Sequence, residues 1–147
     1  MSPHACAKWL KLMGYGFVAF GLVWITTAFA VFDSPGRLLI DTLDWPMDGS
    51  PSSPSEEARW MGAIGAGLTC ALGLIIANIV SPLIARDEAE VGKIVRKGML
   101  VAITTWMIVD SIGSVTSGVP SNAVFNAIFY LALAVPLWQV KFNAPTA

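Results

Sequence analysis

Four apolar runs, at residues 12–32, 60–81, 98–118 and 121–140, dominate this sequence, and together they hold one charged side chain, Asp110. A helix needs roughly 20 apolar residues to cross the hydrocarbon core of a bilayer. No water reaches that core, so backbone amides there must bond internally, and runs of this length fold as helices. The expectation is an all-α, four-transmembrane-helix bundle making one integral membrane domain over residues 1–147. Composition agrees, with 55% hydrophobic and 13% charged residues and a mean hydropathy of +0.66; a soluble domain carries about a quarter charged residues. A net charge of −1 leaves no basic footprint for nucleic acid, so none is expected as a partner.

The ends of the runs carry their own signals. Ala28-Phe29-Ala30 imitates a signal-peptidase site after the first run, but the run is too long for a signal core and is expected to remain as an anchor. Ser53-Pro54-Ser55-Glu56 fits a capping box, with Ser53 as N-cap of the second helix. Small residues form two stripes in that helix, Gly62, Ala66 and Cys70, and Gly65, Thr69, Gly73 and Ala77. They predict a tightly packed central helix. Val119-Pro120 alone links the last two runs, which forces an antiparallel hairpin. Pro136 predicts a mild kink near the end of the fourth. Ser34-Pro35 and the apolar Leu38, Leu39, Ile40 and Leu43 predict a short amphipathic helix on the outer surface between spans one and two, lidding the bundle.

Seven of the nine basic residues, Lys8, Lys11, Arg86, Lys93, Arg96, Lys97 and Lys141, fall on one side of these spans, and Arg37 and Arg59 fall on the other. By the positive-inside rule both termini are expected in the cytoplasm, on the inner side of the membrane. Trp9 and Trp138 then mark the inner interface and Trp45 and Trp60 the outer one. Lys93, Arg96 and Lys97 form a juxtamembrane cluster suited to anionic lipid headgroups.

Eighteen of the 19 charged residues, nine basic and ten acidic, lie outside the runs. Asp110 sits about 12 Å below Gly118 along its helix, where an unpaired carboxylate costs several kcal/mol and marks a functional candidate. Trp106, Asp110, Ser114 and Ser117 share one helical face, and Asn122, Asn126 and Tyr130 share another. A turn centred near residue 120 predicts Asp110 level with Tyr130, Ser114 with Asn126, and Gly118 with Asn122. The two faces would form one polar cluster that Arg59 could approach by snorkelling.

The strings DTLDWPMDGSP, EEARWMGAIGAGL and TWMIVDSIGSVTSGVPSNAVFNAIF resemble a group of small uncharacterised bacterial four-span membrane proteins and, more loosely, the DoxX-like outline. The likeness spans residues 34–135 and draws attention to Arg59, Asp110, Gly113, Ser114 and Asn126. It implies an architecture and no reaction.

The spans hold no histidine, no Cys-x-x-Cys pair and no second carboxylate, and His4 is the sole imidazole, in a terminus expected to be mobile. Cys6 and Cys70 fall at different depths and are not expected to pair. Asp41, Asp44 and Asp48 match no calcium loop. No catalytic residues, metal or cofactor are therefore expected; the one enzymatic alternative is an acid pair of Asp110 and Tyr130. The leading expectation is a non-enzymatic membrane protein, either an accessory subunit of a homo-oligomer or larger membrane complex, or a binder of membrane lipid or a small hydrophobic ligand. The alternative is a proton- or cation-coupled transporter or channel that acts as an oligomer through Asp110.

Overall fold

A computed structural model of the protein describes residues 1–49 and 54–142. The described chain is all helical: α1 Pro3–Trp24 runs on into a 3-10 turn, Ile25–Ala28, and α2 is Ser34–Leu43. A nearly continuous helix follows, made of α3 Glu56–Ile75, a π-turn at Ile76–Val80 and α4 Ser81–Ala85; α5 is Ala89–Thr116 and α6 Pro120–Gln139. Pro3–Ala28, Glu56–Ala85, Ala89–Thr116 and Pro120–Gln139 are each long and apolar enough to cross a membrane. The four-span bundle and its short amphipathic helix are as the sequence predicts; several boundaries differ, each for a local reason.

Span one starts nine residues before the apolar run. Ser2 caps α1 by accepting from the Ala5 amide at 3.3 Å, and Pro3 takes the first helical position. The Met1 amine donates to the Gln139 carbonyl at 2.9 Å and the Lys141 amide to the Met1 carbonyl at 3.2 Å, so the N-terminus is tied to the end of α6. His4, expected in a mobile terminus, is thus part of the first turn of α1. At the other end, the Thr26 and Thr27 hydroxyls donate to the Val23 and Trp24 carbonyls, and the β-branched Ile25-Thr26-Thr27 tightens into the 3-10 turn, ending the helix at Ala28.

Ser53 lies outside the described residues, and the cap of α3 is instead Ser55, which accepts from the Ala58 amide at 3.2 Å. The π-turn precedes Pro82, which has no N–H to give the Asn78 carbonyl; the Ser81 amide reaches back five residues to Ile76 instead.

The small residues of α3 serve one neighbour, α1, rather than a central position. Gly14 and Gly73 meet backbone to backbone: a Cβ on Gly14 would lie 2.6 Å from the Gly73 carbonyl oxygen, and one on Gly73 would collide with that of Gly14. A Cβ on Gly21 would lie 2.8 Å from the Ala66 carbonyl oxygen, and the Trp24 ring covers Gly65. In lipid, where hydrophobic burial gives no drive, such close approach maximises dispersion contact. The central helix is α1, which touches α3, α4, α2 and α6, burying Cys6, Leu10, Gly14, Phe17 and Gly21 at three- and four-residue spacing.

The core is lopsided. Cys6, Leu10, Ile76, Ile84, Ile103, Leu133, Leu137 and Val140 are fully buried and lie toward the end that carries the termini. Beyond Phe17 toward α2, the one buried apolar residue among those described is Ala66. There the interior is an aromatic ladder, Trp106 and Phe129 against Phe17 at 6.3 and 5.6 Å and Phe20 against Phe129 and Trp24 at 5.9 and 6.3 Å.

That far end is covered by α2. The Gly36 amide donates to the Thr26 hydroxyl at 2.8 Å, and Ser121 of α6 donates to the Leu43 carbonyl at 2.6 Å, so α2 bridges from α1 to α6 as the expected lid. Arg37 Nε stands 3.0 Å from Asp33 Oδ1, an ion pair by distance although its N–H is not aimed for a hydrogen bond.

Candidate functional site

The hairpin of α5 and α6 turns two residues earlier than a turn centred at residue 120. The Gly118 amide donates to the Val115 carbonyl and the Val119 amide to the Ser114 carbonyl, with Gly118 at φ +87°; these are the bonds of a Schellman cap. Moving the turn back shifts every pairing down α5. Asn122 Nδ2 donates to Ser114 Oγ at 2.8 Å, Asn126 Nδ2 to Ser111 Oγ at 3.3 Å, and Thr104 Oγ1 to the Tyr130 hydroxyl at 3.3 Å. The pairings expected from the sequence, Ser114 with Asn126 and Asp110 with Tyr130, are replaced by these three.

The result is a polar zipper down one seam. Asn126 is buried, and the others are partly so. Ser114 joins the two helices by accepting from Asn122 while donating to the Asp110 carbonyl at 2.8 Å. Bonds of this kind average about 0.6 kcal/mol in membranes, enough in sum to fix the hairpin register.

Asp110 takes part in the zipper through its backbone alone. Its carboxylate, half-buried in the span, has no hydrogen-bond or ion-pair partner among the described residues. It lies one turn beyond Trp106 on the same side of α5, and Trp106 packs edge-on to Phe17 of α1. On this side the bundle is least closed: α3 and α5 barely meet, and their seam shuts through α4 at the terminal end. The remaining surface of α5 is largely exposed, including Val101, Ile108, Val109, Ile112 and Val115.

Arg59 stands in the first turns of α3 and does not pair with Asp110. Tyr130 is level with Thr104, six residues and about 9 Å along the helix from Asp110, which separates the two members of the acid pair considered from the sequence. Gly113 is exposed with open space beside it. Lys93, Arg96 and Lys97 lie in the first turns of α5, at the end that carries the termini.

Thr104 and Ser111 complete the zipper without standing out in the sequence; the available signal is spacing, Ser111 three residues before Ser114 and Thr104 two turns before Ser111. A third contact was hidden. Pro136 leaves the Ala132 carbonyl without its helical donor, and the Trp9 indole N–H of α1 supplies one at 2.7 Å. Cys6 and Cys70 are both free, and the Cys70 thiol lies 3.6 Å from the Val18 carbonyl oxygen.

Comparison with family models, with curated proteins and with solved structures found no match.

Proposed function

We propose that the protein is a non-enzymatic multi-pass membrane protein that holds a second membrane component, a partner helix or a small hydrophobic molecule, against the Asp110 side of α5. The observation that carries this reading is the carboxylate itself. The zipper satisfies its neighbours and leaves it out, and an unpaired charge within a span costs several kcal/mol. A side chain kept at that cost, in the half of the bundle where no large side chain is fully buried, is suited to contact with something outside the chain. The likeness to small bacterial four-span proteins fits this setting. So does the gathering of seven basic residues at the end that holds both termini, which supports an inner-membrane protein with its termini in the cytoplasm.

Native mass spectrometry of wild-type protein and Asp110→Asn, released from lipid nanodiscs, tests this. A stoichiometric adduct, whether second chain or small molecule, is expected on the wild type and reduced at least tenfold in the variant, with little change in thermal stability. A wild type that is bare and monomeric, indistinguishable from the variant, would refute it. The same carboxylate favours a second reading, proton- or cation-coupled transport by an oligomer. Flux into liposomes that depends on pH and on Asp110 would establish that reading instead.

A further inference from the structure

A second site lies at the opposite end of the bundle and does not depend on Asp110. Between α1 and the π-turn region runs a groove of about 330 Å³ lined by His4, Lys8, Lys11, Asn78, Ser81 and Pro82. His4, Lys8 and Lys11 recur at spacings of four and three, so they stand on one side of α1. The two lysines repel each other at that spacing, and no acidic residue lines the groove. The opposite wall is polar and held in place: Asn78 Nδ2 donates one N–H to the Leu74 carbonyl at 3.1 Å and keeps its second for an anion, and Ser81 Oγ donates to the Ala7 carbonyl at 2.9 Å.

We propose that this groove binds the phosphate headgroup of an anionic phospholipid, with Lys8 and Lys11 as its charge partners. Depth and continuity favour a lipid over a free anion. Counting roughly 20 residues back from Ala28 sets the edge of the hydrocarbon near Trp9, so Lys8 and Lys11 stand at headgroup level. One turn deeper on the same side is exposed Tyr15, whose hydroxyl lies 3.5 Å from Asn78 Oδ1, and exposed Leu12, Leu74 and Ile75 continue the apolar track for an acyl chain. The π-turn forced by Pro82 shapes this wall, a common use of such bulges. The cluster of Lys93, Arg96 and Lys97 lies on another helix and lines no part of the groove.

The test is retention of phosphatidylglycerol, against phosphatidylcholine, by the full-length protein in native mass spectrometry. Each surface lysine gives roughly a fivefold preference for anionic lipid, so Lys8→Gln with Lys11→Gln is expected to weaken retention about 25-fold. Arg86→Gln with Lys141→Gln removes the same charge from the same end and is expected to stay close to wild type. All four side chains are exposed, so both double variants should keep the wild-type melting temperature. Equal losses in the two double variants would overturn the proposal by showing general surface charge. Equal retention of phosphatidylcholine would overturn it too, as would displacement of the lipid by millimolar inorganic phosphate, which would make free phosphate the ligand. None of these outcomes bears on Asp110.

Discussion

The Trp9 contact can be weighed by a double-mutant cycle with Pro136. In a helix the Ala132 carbonyl receives the amide of residue 136, and proline has none; the indole of α1, 2.7 Å away, takes that place. Trp9→Phe keeps an aromatic ring and removes the N–H. The carbonyl then loses its donor at a depth where water competes poorly, and an unsatisfied buried acceptor costs about 1–3 kcal/mol. Trp9 is 41% exposed and membrane hydrogen bonds have not been found to exceed about 1.7 kcal/mol, so the lower end applies, about 1 kcal/mol, plus a packing loss from the smaller ring. Pro136→Ala restores an amide at the right place. In that background Trp9→Phe should cost only the packing loss, which cancels in the cycle and leaves a coupling of about 1 kcal/mol. Equilibrium unfolding in mixed micelles with a rising fraction of denaturing detergent reads all four corners. A coupling below about 0.3 kcal/mol would refute the claim that the indole replaces the missing amide.

Two further expectations concern glycines whose surroundings differ. Gly73→Ala would press a methyl onto the Gly14 carbonyl, backbone against backbone, and should destabilise by about 1–3 kcal/mol, while Gly67→Ala, with open space beside it, should be neutral or stabilising; melting temperatures of the pair in detergent compare them directly. Gly118→Ala also meets open space, so its cost should be purely conformational, about 1 kcal/mol from the positive φ, and Gly118→Asn should recover part of it.

The span count, the lid and the hairpin were legible because hydrophobic length and turn chemistry are local. Boundaries were legible only where a cap signal stood beside the apolar run. By hydropathy the first run starts at residue 12, because Lys8 and Lys11 look like the end of a span; the start signal is Ser2-Pro3, which lies outside the hydrocarbon, where hydropathy says nothing. The zipper register failed by a small, identifiable step. By hydropathy Gly118 ends the span, whereas a glycine at that place is the left-handed cap that follows one, and a shift of two residues in the turn moves every facing pair. The stripe in α3 was visible, but a stripe does not name its partner. That α1 receives it depends on Gly14 and Gly21, which stand on its buried face with the larger Leu10 and Phe17. The bond from Trp9 to Ala132, across 123 positions, had half a signal in Pro136, which announces an orphan carbonyl without saying who satisfies it.

These contacts divide the bundle into two pairs held by different physics. α1 and α3 are joined by backbone contact through small residues, and α5 and α6 by hydrogen bonds between side chains. The pairs are joined to each other at the terminal end by the apolar core and by Met1 and Trp9, and at the far end by the aromatic ladder and the α2 strap through Ser121. Burial of large side chains is thus graded along the bundle, fullest at the terminal end and partial at the level of Asp110. Deep burial within the terminal core would have required Asp110 to find a partner inside the chain, and full exposure to lipid would have made it more costly still. On the proposed function, the loosely closed half is where a carboxylate can stay within the span and still meet a component from outside.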